Sequence, residues 1–263
     1  MPDSFLLNWT VERLLILTVI MVRVGTLLFL MPVLGSRGVP SQVKALFTAV
    51  TALALVGVVP VSARDLPAGA AGCLLLVLSE LTFGAILALF ARLVFAAVET
   101  GGQMVGVQMG MGMAGVMDPQ FGTQISQVGQ FWNLTAILLF LAVDGHHLFL
   151  ATMAESFAWV PPGGLTLSEA TFRGMMAGVS RMFVLAIKIM APVSAVLFFS
   201  QVALGILAKT VPQINLLIVS LPLNIALGFI FVGLSLGLFA PLLLKEITTL
   251  ERLLPRLAQG LGG

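Results

Sequence analysis

Two short stretches carry residue types that do chemistry in other proteins. Gly233-Leu-Ser-Leu-Gly237 matches the G-x-S-x-G pattern of serine hydrolases. That chemistry needs the Ser on a sharp strand-to-helix elbow, a His to take its proton and an acid to hold the His. Here the Ser lies inside a long uncharged apolar run, and small residues four apart are what lets two helices approach closely. Packing is the better account of Gly233 and Gly237. His146 and His147 are the only histidines. As helix neighbours they point about 100° apart, which argues against a joint grip on a metal. No third His and no thiolate cluster is present to complete a site. Cys73 is the single cysteine, so no internal disulfide forms, and it reads as a small buried apolar residue. No Gly-rich phosphate loop with a Lys occurs. No catalytic residue, metal or cofactor is expected.

The elements around these residues are oily. Of 263 residues, 59% are hydrophobic and 9% charged, against about 25% charged in a soluble domain. Such a chain cannot bury its apolar surface in one core and keep a wettable exterior, so its solvent is partly lipid or other apolar protein. The net charge of +2 and the scatter of basic residues exclude a phosphate-tracking stripe, hence nucleic acid. The start, MPDSFLLNWTVER, lacks a basic region and a small-residue cleavage site and reads as mature sequence.

Apolar segments follow in order: Leu14–Met31, Val43–Val59, Gly69–Val98, Phe131–Val143, a further segment stopping at Pro161, and Arg173–Leu207 with Pro192 inside. Pro32, Gly35, Gly38 and Pro40 break the first from the second. Thr210–Leu244 has no charge. It exceeds the ~20 residues of one span, so a hairpin with Pro222 as its break is expected there. Segment lengths and the lack of alternating ten-residue stretches predict an all-α membrane protein. Ile247, Leu250, Leu253 and Leu257, among Lys245, Glu246, Glu251, Arg252 and Arg256, predict an amphipathic tail on a partner or membrane surface, interrupted by Pro255.

Arg23, Glu80, Arg92 and Lys188 lie inside these segments. Each would cost ~2.5 kcal/mol or more facing lipid at mid-depth. They snorkel, pair inside the bundle, or pack against partner subunits. Lys and Arg do not collect in alternate loops, which favours the second and third accounts.

Gly106 to Gly122 reads GVQMGMGMAGVMDPQFG. Gly102, Gly106 and Gly110 recur every four residues, leaving one helix face bare for another backbone. Beyond Gly110 the glycines crowd, and Asp118-Pro119 adds a turn, so the helix ends there. Yet the loop is apolar, with Met104, Met109, Met111, Met113 and Met117 in it. Deformable Met side chains can seal an irregular passage and later yield. The other account is a Gly/Met-rich packing segment with nothing to gate. A second stretch, Lys209 to Asn224, reads KTVPQINLLIVSLPLN. Pro212 and Pro222 restrict the backbone, while Gln213, Asn215 and Asn224 offer amides to freed backbone groups or to a neighbouring subunit. Broken helices around a transported solute are the competing reading.

VPQINLLIVSLPLNIALGF resembles the signature of the FliR family of type III secretion, called SctT in injectisomes. Upstream, ETGGQMVGVQMG, the Asp-Pro and GHHLFLATMAESFAWVPPG resemble the family in order and spacing, with Lys209 where an Arg is common. The resemblance covers nearly the whole chain, and the His pair leans to the flagellar branch. It implies a non-enzymatic export-gate subunit built of helical hairpins, a FliP-like unit over about 1–205 joined to a FliQ-like unit over about 206–263, in one helical unit. It implies FliP-like and FliQ-like subunits and a FlhB-like switch protein as partners, unfolded proteins as cargo, and the bacterial inner membrane at the flagellar basal body as location. It also implies a pore plug at 107–122. The plug set is then Gly106, Met109, Gly110, Met111, Gly112, Met113, Gly115, Met117, Asp118, Pro119 and Phe121. The subunit-contact set is Pro212, Gln213, Asn215, Pro222 and Asn224. Stand-alone small-molecule transport and intramembrane hydrolysis are the rival classes.

Overall fold

The structure, a computed structural model, describes residues 2–36, 38–62, 67, 69–111, 126–211 and 215–262. Side chains are described from Glu12 onward, apart from those at 216 and 217. Seven α-helices and no strand occur among the described residues: α1 Pro2–Leu30, α2 Ser41–Val56, α3 Ala70–Gln108, α4 Gln127–Ala142, α5 Gly145–Trp159, α6 Glu169–Thr210 and α7 Leu216–Gly260. Four of them, α1, α3, α6 and α7, are long and apolar enough to cross a membrane, and α4 with α5 would add a fifth as one broken span.

Local chemistry sets the ends. α2 begins directly after Pro40, whose fixed φ suits a helix start. Ser126 caps α4, its hydroxyl accepting from Gly129 N at 3.4 Å. Asp144, at φ 54° and ψ 28°, separates α4 from α5, a left-handed position that Asp tolerates better than most residues. α5 stops at Trp159, before Pro161 and Pro162.

Two expected breaks are absent. Pro222 lies inside α7, which runs unbroken from Leu216, so the break from α6, which ends at Thr210, comes before Pro222. A proline costs one backbone bond and some bending. In an apolar helix local adjustment and neighbours re-satisfy the freed carbonyl. Pro255 likewise does not interrupt the tail, which stays helical to Gly260. The tail is amphipathic, but its apolar edge is Ile247, Leu250, Leu254, Ala258 and Leu261, all buried within the chain. Leu253 and Leu257 are only half-buried. Thr166 N donates to Leu261 O at 2.8 Å, and Leu257 packs at Gly174. The tail is therefore covered by its own chain.

The chain forms two compact units. One comprises Met1–Leu93, Asp144–Gly178 and Thr248–Gly263; the other comprises Val94–Val143 and Val179–Ile247. The first has a core of α1, α3 and α5 side chains around buried Arg23 and Glu80. The second is built on aromatic contacts. Trp132 stacks on Phe239 at 6.0 Å between centroids, and Phe95 meets Phe140 edge-on at 5.5 Å.

Candidate functional site

The end of α3 shows why its glycines are spaced as they are. A methyl on Gly102 would overlap the Cα of Gly129 in α4, and one on Gly106 would overlap the Ser126 hydroxyl. A methyl on Gly101 would stand 3.0 Å from the Ala186 carbonyl of α6. Adjacent glycines thus admit two different neighbours, and Ser126 Oγ bridges the first contact by donating to Gly102 O at 3.1 Å. The expected bare face holds at Gly102 and Gly106, while Gly110 lies past the end of α3 and meets Leu221 of α7 instead.

The helix then closes in a Schellman motif. Gly110 takes φ +84°. Its N–H donates to Val107 O at 3.0 Å, and Met111 N–H donates to Gly106 O at 3.1 Å. These are the 5→2 and 6→1 bonds of that cap, with glycine at the left-handed position. Met109 is fully buried, and its Cγ, Sδ and Cε fill the notch left by Gly228 on α7. Leu221, two turns before Gly228, covers Gly110. Between them Asn224 is buried and its Oδ1 accepts from Ser200 Oγ of α6 at 3.1 Å. One face of α7, at Leu221 and Gly228, therefore holds the root of the Gly/Met loop, while Asn224 between them ties α7 to α6. Met104 and Val107 point outward and are exposed.

A second constellation is polar. Arg23 of α1 and Glu80 of α3 are both fully buried. Arg23 Nε donates to Glu80 Oε2, and Nη2 donates to Glu80 Oε1 at 3.0 Å. Nη1 donates to Ser156 Oγ at 3.1 Å, and Nη2 also donates to Val160 O at 3.0 Å. Glu80 Oε1 also accepts from Gly163 N at 3.1 Å. The guanidinium lies between the Phe83 and Phe157 rings, 4.5 and 4.1 Å from their centroids. Gly84 permits this meeting of helices, since a Cβ there would be 2.7 Å from Arg23 O. This clasp ties α1, α3, α5 and the Pro161–Gly164 turn. A bidentate Arg–carboxylate pair whose remaining nitrogens also find acceptors is the form in which a buried ion pair is tolerated.

The sequence matches the family described as bacterial export proteins, family 1, over residues 14–250. It is 35% identical over 217 residues to the flagellar biosynthetic protein FliR of Bacillus subtilis, covering 80% of this chain and 82% of that protein. The Escherichia coli K12 FliR is 28% identical over 221 residues, 84% of each chain. The Aquifex aeolicus FliR is 27% identical over 230 residues, 86% of this chain and 87% of that one. The chain belongs to the FliR family of bacterial export proteins.

Within this FliR-family chain the other expected residues scatter. Arg92 and Lys188 are neither buried nor paired: both are exposed on outward helix faces, without a partner among the described residues. Asn215 and Pro222 are exposed. Pro212, Gln213, Gly112, Met113, Gly115, Met117, Asp118, Pro119 and Phe121 lie outside the described residues. Gly233 and Gly237 face open space, with nothing among the described residues within reach of a Cβ, so they serve no helix packing among those residues. Ser235 donates its hydroxyl to Val232 O of its own helix at 2.8 Å. Cys73 is exposed, near the start of α3, with its thiol toward Pro67 O; it is not the buried apolar residue expected. The His146 and His147 rings do not diverge. Their centroids are 4.1 Å apart, and His147 Nδ1 stands 3.5 Å from Asp144 Oδ1. One ligand atom from each of Asp144, His146 and His147 falls within 4.8 Å of the others. Side-chain torsions, not backbone azimuth, decide where the nitrogens land.

Sequence reasoning missed Ser126, Ser156 and Gly228. Ser126 was legible as a cap ahead of Gln127. Ser156 and Gly228 matter only through contacts more than a hundred residues away in sequence, which leave no local signal.

Proposed function

We propose that this chain is a non-enzymatic membrane subunit of the flagellar protein export apparatus, a wall element of a helical gate whose loop at 107–122 stops the bore. Family membership supports the first part, because the relatives are flagellar biosynthetic proteins. The single observation that supports the second is the capped and anchored root of that loop. A stopper that yields needs a fixed point to yield from. The Schellman cap at Gly110 and the burial of Met109 against Gly228 supply it. In this reading Met109 is an anchor. Sealing falls to Met111, Met113, Met117 and Phe121, with Gly112 and Gly115 as pivots and Asp118-Pro119 as the turn.

The outward faces of α6 and α7 are apolar, with Phe199 and Ile218 about 70% exposed. In the proposed gate FliP-like and FliQ-like subunits cover them, with Pro212, Gln213, Asn215 and Pro222 shaping the contacts, and a FlhB-like protein joins the same assembly. The FliP-like part is about 1–205 and the FliQ-like part about 206–263. The site of action is the bacterial inner membrane at the flagellar basal body, and the cargo is unfolded protein. A stand-alone transporter with Pro-broken helices is disfavoured by the unbroken course of α7 through Pro222.

The test is ion leak. Replacing Gly112, Met113, Gly115 and Met117 by Ser, or deleting 112–122, is expected to raise small-ion flux through the assembled complex several-fold at normal complex yield. Unchanged flux through an intact complex overturns the stopper.

A further inference from the structure

Two apolar hollows in the first unit adjoin along α3, sharing Leu30 and Leu81. One, of about 520 Å³, is walled by α1, α2 and α3 through residues such as Phe29, Ala45 and Val77. The other, of about 490 Å³, is walled by α3 and by Met175 of α6, and Arg92 is its one charged residue. Val77, Leu81, Ala85, Leu89 and Arg92 recur every three or four positions and so form one stripe along α3. The fifteen steps from Val77 to Arg92 span about 22 Å at the helical rise. One leaflet of bilayer hydrocarbon is roughly 15 Å deep. The stripe therefore accommodates an acyl chain and leaves room for a glycerol and a headgroup.

Arg92 supplies the other half of the match. It is exposed and has no partner among the described residues, although it lies in a helix apolar enough to cross a membrane. A guanidinium presents a fork of donors matched to phosphate oxygens. We infer that this groove binds one anionic glycerophospholipid, its headgroup phosphate on Arg92 and an acyl chain along Val77 to Leu89. A carboxylate from a partner protein would satisfy Arg92 but not fill the roughly 18 Å of apolar wall from Val77 to Leu89. A zwitterionic lipid would offer the same phosphate with its own cation beside it, and so would answer the charge less well. The inference stands or falls independently of the loop at 107–122.

The measurement is native mass spectrometry of the chain in its detergent-extracted complex, titrated with phosphatidylglycerol and with phosphatidylcholine of the same acyl length. One phosphatidylglycerol is expected to bind with roughly fivefold preference, the scale of one cation at a membrane surface. Arg92→Gln is expected to bring the preference to unity, and Arg92→Lys to keep part of it. Ala85→Trp, which fills the groove, weakens both lipids equally. Arg92 is exposed and Ala85 only half-buried, so both variants are expected to fold, and the melting temperature checks it. Equal binding of both lipids by the parent chain overturns the inference. So does preference that survives Arg92→Gln, or a photo-crosslinker at position 92 that labels partner protein and no lipid.

Discussion

The clasp around Arg23 and the glycine ladder of α3 bring helices together by opposite means. In an apolar chain hydrophobicity does not choose partners, because lipid is as oily as a neighbouring helix. The clasp chooses by direction: Arg23 donates four bonds to three residues and lies between two rings. The ladder chooses by subtraction: at Gly101, Gly102 and Gly106 a side chain is missing wherever α6, Gly129 or Ser126 must come close. Direction fixes register and resists partial change. Subtraction fixes only distance, and it suits a helix end from which a loop departs. The polar device sits in the unit of α1 and α5, and the small-residue device at the root of the Gly/Met loop.

The largest effect expected from breaking this contrast is at the clasp. Arg23→Ala or Glu80→Ala leaves an uncompensated buried charge and should cost about 3–5 kcal/mol. Thermal unfolding of the detergent-solubilised protein reads it. The pair Arg23→Met with Glu80→Leu should recover most of the loss, since apolar replacement of a buried ion pair is often neutral. A single substitution that costs less than about 1 kcal/mol would mean the bonds are made to water. Next in size is the ladder. Gly102→Val drives a branched side chain into the Gly129 backbone and should cost about 1–3 kcal/mol as overpacking. Gly233→Val meets nothing among the described residues and should cost far less in the isolated chain. Equal costs at the two glycines would remove the steric meaning of the ladder and leave only helix propensity.

Much of this was legible in the residues. The helical class follows from segment length, and the bare face of α3 from Gly102 and Gly106, with Gly110 serving as the cap instead. The burial of Arg23 and Glu80 follows from the expense of a lone charge in an apolar helix. Which charges pair was not legible. Arg23 and Glu80 meet across 57 positions through Gly84, whereas Arg92 and Lys188, of the same composition class, face outward. The helix breaks were misread because proline was weighed as in water. Pro222 and Pro255 stay inside α7, where one lost backbone bond does not outweigh the helix on either side. The tail was read with the correct period but the wrong centre. Leu254, not Leu253 or Leu257, is the residue fully buried, and only the docking of Leu261 on Thr166 shows that the cover is internal.

The smallest expected effect concerns Ser235, and it separates a wall protein from a hydrolase. Its hydroxyl is buried, and it donates to the Val232 carbonyl one turn back in α7. Such back-bonding satisfies the hydroxyl but slightly weakens and bends the helix. Replacing Ser235 by Ala removes donor and acceptor together, so no buried polar group is left unpaired. Ala also has the better helix propensity, by roughly 0.5 kcal/mol. Stability should therefore be unchanged or raised by about that amount, and flagellar export in cells carrying Ser235→Ala should match the parent. A Ser acting as nucleophile admits no such outcome, because its loss removes the covalent step and several orders of magnitude in rate. Motility and secreted flagellin, measured side by side with the melting temperature, decide between a hydroxyl that only closes its own helix and one that reacts.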